Sequence, residues 1–88
     1  MGVRKFKVGD VVVVKSNMYS GRVLLKGGIG RVVSIGYKNY GVEFRRRVVD
    51  TEGRFVGHSC DGAGEDTFCY YVGARLLELY EEDFFGND

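Results

Sequence analysis

The stretch Gly27-Gly28-Ile29-Gly30-Arg31-Val32-Val33-Ser34-Ile35-Gly36 constrains the fold more than any other part of this chain. Glycines crowd its front, an apolar run fills its middle, and a glycine closes it. β-Branched side chains are stiff at χ1 and favour pleated backbone, while glycine supplies turn conformations that other residues resist. The stretch therefore predicts a tight turn feeding a buried strand over 29–36, the centre of a small barrel. A phosphate-cradling loop would need Gly-Lys-Ser/Thr opening a helix. Here a strand follows, so the glycines read as turn punctuation.

The rest of the composition agrees with a small all-β domain. Eighty-eight residues make one domain with a modest core. Fourteen glycines and no proline mean that turns rely on glycine, asparagine and aspartate. The longest apolar run is Val11-Val12-Val13-Val14, far short of the ~20 residues that span a bilayer. No apolar signal core follows Met1-Gly2-Val3-Arg4-Lys5, and Phe6 stands where a myristoylation motif wants Ser or Thr. The expectation is a cytoplasmic protein with no membrane partner, in which Cys60 and Cys69 are free thiols.

Taken in order, 10–16 reads as strand one, its four valines implying burial on both faces. Residues 17–28 form a long excursion whose Val23, Leu24 and Leu25 tuck into the core. Strand three is 40–44, where Tyr40, Val42 and Phe44 alternate with Gly41 and Glu43. A further strand at 48–50 turns at 51–53 and returns as a hairpin through Arg54-Phe55-Val56-Gly57-His58. Residues 60–67 are loop on composition, and 68–72 are aromatic and β-prone. Gly73-Ala74-Arg75-Leu76-Leu77 reads as one short helical turn before a last strand at 77–80. The rival reading is a helix over 74–84, on the spacing of Leu76, Leu77, Tyr80 and Phe84. Domain limits of 1–80, followed by an acidic tail at 81–88, complete the layout.

That order carries a resemblance. Val8-Gly9-Asp10-Val11-Val12-Val13, then Gly27-x-x-Gly30-x-Val32-x-x-Ile35, then Tyr40-Gly41-Val42-Glu43-Phe44 resembles a small SH3-like barrel. Gly30-Arg31-Val32 is similar to the KOW motif of transcription and translation proteins. The ending from Tyr70 to Leu79 resembles the SH3-like strand, 3₁₀ turn and final strand. With Gly57-His58-x-Cys60-x-Gly62, the chain resembles small uncharacterised proteins of bacteriophages and Gram-positive bacteria. The resemblance implies an all-β, SH3-like barrel of about five core strands. An inserted hairpin or loop would span about 45–67, with a short 3₁₀ turn near 73–77. It implies no particular activity. The aromatic pair of a proline-binding SH3 domain is missing at Val11-Val12-Val13-Val14, which argues against polyproline recognition.

Charge is unevenly spread. Residues 1–54 hold twelve Lys/Arg against four acids, and residues 55–88 hold Arg75 against eight. Arg45-Arg46-Arg47 is the densest cluster. In a strand Arg45 and Arg47 would share a face. With Arg54, Arg22, Lys26 and Arg31 they could form an anion-binding patch, with Tyr37 or Tyr40 as stacking surfaces. The alternative is a solvated hairpin whose arginines pair with Glu43, Asp50 and Glu52. His58, Cys60 and Cys69 are weak metal candidates, because zinc wants four ligands and no Cys-x-x-Cys exists. Cys60 with His58 is a weaker candidate still as nucleophile and base, since no acid is placed to orient the imidazole and no elbow motif surrounds the cysteine.

Function is therefore expected to be non-enzymatic and cofactor-free. The leading expectation is a binding module, phage-encoded, engaging a host or assembly protein. The alternative is a binder of nucleic acid or nucleotide-like anions through the arginine patch.

Overall fold

The computed structural model describes residues 5–80. Seven strands follow in order: β1 Val11–Val14, β2 Val23–Leu24, β3 Ile29–Ile35, β4 Asn39–Phe44, β5 Val49–Asp50, β6 Cys69–Gly73 and β7 Leu77–Leu79. A 3₁₀ turn, Ala74–Leu76, separates the last two. The fold is all-β. Among the described residues no helix is long and apolar enough to cross a membrane.

Five strands form one antiparallel sheet in the order β6-β4-β3-β1-β7. Its edge strands, β6 and β7, are neighbours in sequence and are joined only by the 3₁₀ turn. A flat sheet of five strands would hold its edges roughly 19 Å apart, at about 4.8 Å per strand. Three residues of 3₁₀ helix rise only about 6 Å. The sheet must therefore curl, so that the open sheet approaches a barrel around one core. Val12, Val14, Val32, Val42, Val72 and Leu77 fill that core and are almost wholly buried. The strand, 3₁₀ turn and strand at the end match the SH3-like ending, and the helix over 74–84 is excluded for its described part.

The glycine-rich stretch is the centre of this sheet. β3 pairs with β1 through Val11↔Arg31 and Val13↔Ile29, and with β4 through Gly30↔Phe44 and Ile35↔Tyr40. A bulge falls between Val32 and Ser34. A Cβ at Gly30 would lie 2.5 Å from the Glu43 carbonyl oxygen. No side chain fits there, so glycine is what permits the close approach of β3 to β4.

Two expectations need correction. Strand one is not buried on both faces: Val12 and Val14 are buried, while Val11 and Val13 are half-buried. This is the alternation of a strand with one face on the core. β5 has a partner on each side: the expected returning segment 54–58, and also β2 through Val23↔Asp50 and Leu24↔Val49. The return is bridged at Val49↔Phe55, with the Asp50 N–H donating to the Arg54 carbonyl (3.0 Å) and the Val56 N–H to that of Val48 (2.9 Å). The two long excursions are thus stitched to each other. The second correction concerns the apolar triplet: Val23 and Leu25 are buried as expected, but Leu24, between them, points the other way and is exposed. The acidic tail at 81–88 lies outside the described residues.

Candidate binding groove

The groove begins with the turn that precedes β3. Asn17 reaches eight residues forward, its Oδ1 accepting the N–H groups of Leu25 (2.8 Å) and Lys26 (2.7 Å). This pins the loop that presents Lys26. Gly28 leaves room for the Phe44 ring, which a Cβ at position 28 would meet at 3.3 Å. Beyond Phe44 the strand stops and the chain bends at Arg45-Arg46. The face-sharing of Arg45 and Arg47 expected for a strand therefore does not apply.

These elements enclose a groove of about 480 Å³. Leu24, Ile29 and Val49 are its accessible apolar lining, over a floor of buried Leu25, Phe44 and Val48, and Lys26, Arg45, Arg46 and Arg47 supply its cations. A second hollow of about 360 Å³ shares Ile29, Phe44 and Arg45 with it and adds Val11, Arg31 and Glu43. The two form one trough across β1, β3 and β4, apolar inside and strongly basic at its margins. The Glu43 carboxylate is held toward the neighbouring loop, accepting the Glu65 N–H at 3.0 Å.

Arg47 is firmly held. Its Nε–H donates to Thr67 Oγ1 at 3.1 Å. Its guanidinium carbon lies 5.0 Å from the Phe68 ring centre and 5.4 Å from that of Phe55. Such cation–π contacts suit the flat, weakly hydrated guanidinium. Phe55 itself is 62% exposed.

Of the nine residues expected in an anion or partner site, Lys26, Arg31, Arg45, Arg46 and Arg47 come together at the trough. Arg54 does not. It pairs with Asp50 (2.8 Å) and Glu52 (3.5 Å), the role foreseen for a solvated hairpin. Arg22 is an exposed residue whose carbonyl accepts the Thr51 N–H at 3.0 Å, joining the two excursions. Tyr37 is 93% exposed on the β3–β4 turn, near the Lys38 ammonium. Tyr40, expected as a stacking surface, is a core residue. Its ring packs edge-on against Phe6 at 5.3 Å, and its hydroxyl accepts the N–H groups of Lys5 (3.1 Å) and Phe6 (3.2 Å). The apolar lining was not singled out from sequence, because it arises from the register of β3 against β4.

The Gly-His-x-Cys-x-Gly segment is a compact loop. Gly57 packs on the Thr67 carbonyl, where a Cβ would collide. His58 Nδ1 accepts the Cys60 N–H at 3.0 Å, and its ring lies 5.4 Å from Tyr70 and 5.6 Å from Tyr71. Cys60, Asp61 and Gly62 all have positive φ, forming a left-handed turn. Two of the three are not glycine, so the turn stores strain that the surroundings must offset. Tyr71 does so in part, donating its hydroxyl to Asp61 at 2.8 Å, which also raises the tyrosine pKa. The Cys60 thiol is fully buried against Gly41, and burial, then the neighbouring Cys69, push its pKa up to about 12. It is a protonated, shielded thiol at neutral pH, the opposite of an activated nucleophile. Among the described residues, no group of three or more His, Cys, Asp and Glu side chains converges as a metal site.

Comparison of the chain with protein-family models, with curated proteins and with solved structures gives no match.

Proposed function

We propose that the protein is a non-enzymatic binding module that takes an acidic, apolar-bearing segment of a protein partner in the trough. The observation that carries this reading is the pairing of five cations with an apolar lining in one concavity. Guanidinium forks select carboxylates, and exposed Leu24 with half-buried Ile29 and Val49 gains from covering by an apolar side chain. Neither feature alone would specify a peptide; together they do.

A second reading, binding of single-stranded nucleic acid, is favoured by Phe55. An exposed ring beside Arg47 is the kind of platform on which a base stacks. The burial of Tyr40 and the near-neutral net charge of +1 weigh against it.

Fluorescence anisotropy separates the two. A labelled peptide of alternating Glu and Phe, its Phe→Ala counterpart and a single-stranded oligonucleotide are titrated at low and high salt. Tighter binding of the Phe-bearing peptide, weakened by salt and lost in an Arg31→Ala/Arg45→Ala/Arg46→Ala variant, supports the protein reading. Oligonucleotide binding with a steep salt slope supports the second. No binding of any probe at low salt sinks both.

A further inference from the structure

The two excursions that β2 and β5 join present an apolar row to solvent. Leu24 stands opposite Val49, and Val49 stands opposite Phe55 on the returning segment. Residues directly opposite one another in an antiparallel pair share a face, so these three side chains line up across three adjacent backbones. Their neighbours Val23, Val48 and Asp50 point the other way and are buried. Leu24 is 45% exposed and Phe55 62%, with Val49 half-buried between them. Neighbouring strands lie about 4.8 Å apart, so the row is roughly 10 Å long.

Cations border the row on both sides. On the trough side stand exposed Lys26 and Arg47, two residues along from Leu24 and Val49, and the Arg47 guanidinium lies 5.4 Å from the Phe55 ring centre. On the other side stands exposed Arg22, two residues before Leu24. The nearby acids Asp50 and Glu52 are both engaged by Arg54, at 2.8 and 3.5 Å. The row is thus an apolar stripe between basic margins, continuous with the trough through Leu24 and Val49. Its spacing discriminates between partner backbones. An extended peptide repeats on one side about every 6.6 Å, so three of its side chains spread over roughly 13 Å and overrun the row. Helix side chains at i, i+4 and i+7 share one face and span about 10.5 Å, which matches it.

We propose that the partner segment is an acidic amphipathic α-helix laid along the Leu24, Val49 and Phe55 row. Its apolar stripe covers the three side chains, one per turn. Carboxylates bordering that stripe meet Lys26 and Arg47 on one side and Arg22 on the other, as charge-assisted hydrogen bonds. The inference rests on the partner reading above. It fixes the shape of the partner and extends its footprint from the trough onto the small sheet. Phe55 is then the apolar anchor of a helix rather than a platform for a base.

The test titrates the full chain with two labelled peptides of identical Glu, Leu and Ala composition at low salt. One places its leucines at helical spacing with glutamates on their flanks; the other alternates glutamate and leucine. The helical-pattern peptide is expected to bind about tenfold more tightly by anisotropy, and to gain helical circular dichroism on binding. Equal affinities, tighter binding of the alternating peptide, or binding without helix gain overturns the helix and leaves the partner reading standing. No binding of either peptide sinks both readings. Leu24→Glu sets a carboxylate in the row and spares the Arg47 contacts; it and Phe55→Ala are each expected to weaken the helical peptide about tenfold. Unchanged affinity in both overturns the proposal. Amide NMR of the parent chain keeps the test independent of how the variants fold: shifts are expected at Leu24, Val49 and Phe55, and shifts confined to Arg31 and Arg45 overturn it. Sedimentation is expected to give a monomer; a dimer that Leu24→Glu dissociates assigns the row to a second copy and overturns the proposal.

Discussion

The Arg54 guanidinium meets the Asp50 carboxylate at 2.8 Å, and the same carboxylate accepts the backbone N–H groups of Arg54 (2.9 Å) and Glu52 (2.8 Å). One side chain thus closes the turn after β5. These bonds, the Arg54 N–H foremost, hold the Asp50 pKa below its ordinary 3.8. Asp10 is lowered too, chiefly by the Lys7 N–H. A depressed carboxylate pKa favours the ionised form in the folded state. The stabilisation is complete above the unfolded value and disappears as pH falls through the folded one. Chemical denaturation followed by tyrosine fluorescence should show stability falling once the pH drops below about 3.8. Asp50→Asn should lower the midpoint at pH 7 and flatten that acid limb.

The thiols give the opposite sign. Cys60 and Cys69 are both buried and free, and burial raises both pKa values, that of Cys60 to about 12. The folded state favours the neutral thiol, so its contribution is complete below the unfolded value of 9.0 and is lost as pH rises from there toward 12. Native protein at pH 8 should react with an aromatic disulfide reagent only as fast as it unfolds. Both thiols should react at once in denaturant. Rapid reaction of one thiol in the native state would contradict the burial.

Tyr40 holds the segment before β1 onto the barrel through a single hydroxyl. Tyr40→Phe keeps the ring contact with Phe6 but leaves two N–H groups without their acceptor. The expected loss is about 1–2 kcal/mol, because the Phe6 N–H is buried and that of Lys5 is half-shielded. Thermal and urea denaturation measure it, and faster amide exchange at Phe6 would locate it.

Arg46 and Arg47 separate binding from stability. Arg47→Ala removes the Thr67 bond and the contacts with Phe55 and Phe68, and should cost about 1 kcal/mol as well as ligand affinity. Arg46 is an exposed trough residue. Arg46→Ala should leave stability within about 0.5 kcal/mol and still weaken peptide binding. Paired denaturation and anisotropy measurements on both variants test the contrast. Equal stability losses would refute it.

The strands were legible where β-branched residues or strict alternation marked them, as in Val11-Val12-Val13-Val14 and from Tyr40 to Phe44. The closing 3₁₀ turn was legible from Gly73-Ala74 between an aromatic strand and Leu77-Glu78-Leu79. The β2–β5 pair was not, because two-residue strands carry no period and their partners lie far apart in sequence. The end of β4 at Phe44 was legible as well, whereas the bend at Arg45-Arg46 that follows it was not. Tyr40 was readable in principle, since it shares a strand face with Val42, and that alternation already argued for the core. The trough lining required the β3–β4 register, which local sequence does not encode.

The place of β1 between β3 and β7 has a kinetic consequence. Val12 pairs with Gly30 on one side and with Leu79 on the other. The second contact closes nearly the whole chain, and folding dominated by such distant pairings runs in milliseconds to seconds. During synthesis, at about 5–20 residues per second, the valine strand waits seconds for its second neighbour to leave the ribosome. Its unpaired edge is open to other nascent chains throughout that interval, so aggregation during expression should be decided by how quickly the last strand arrives.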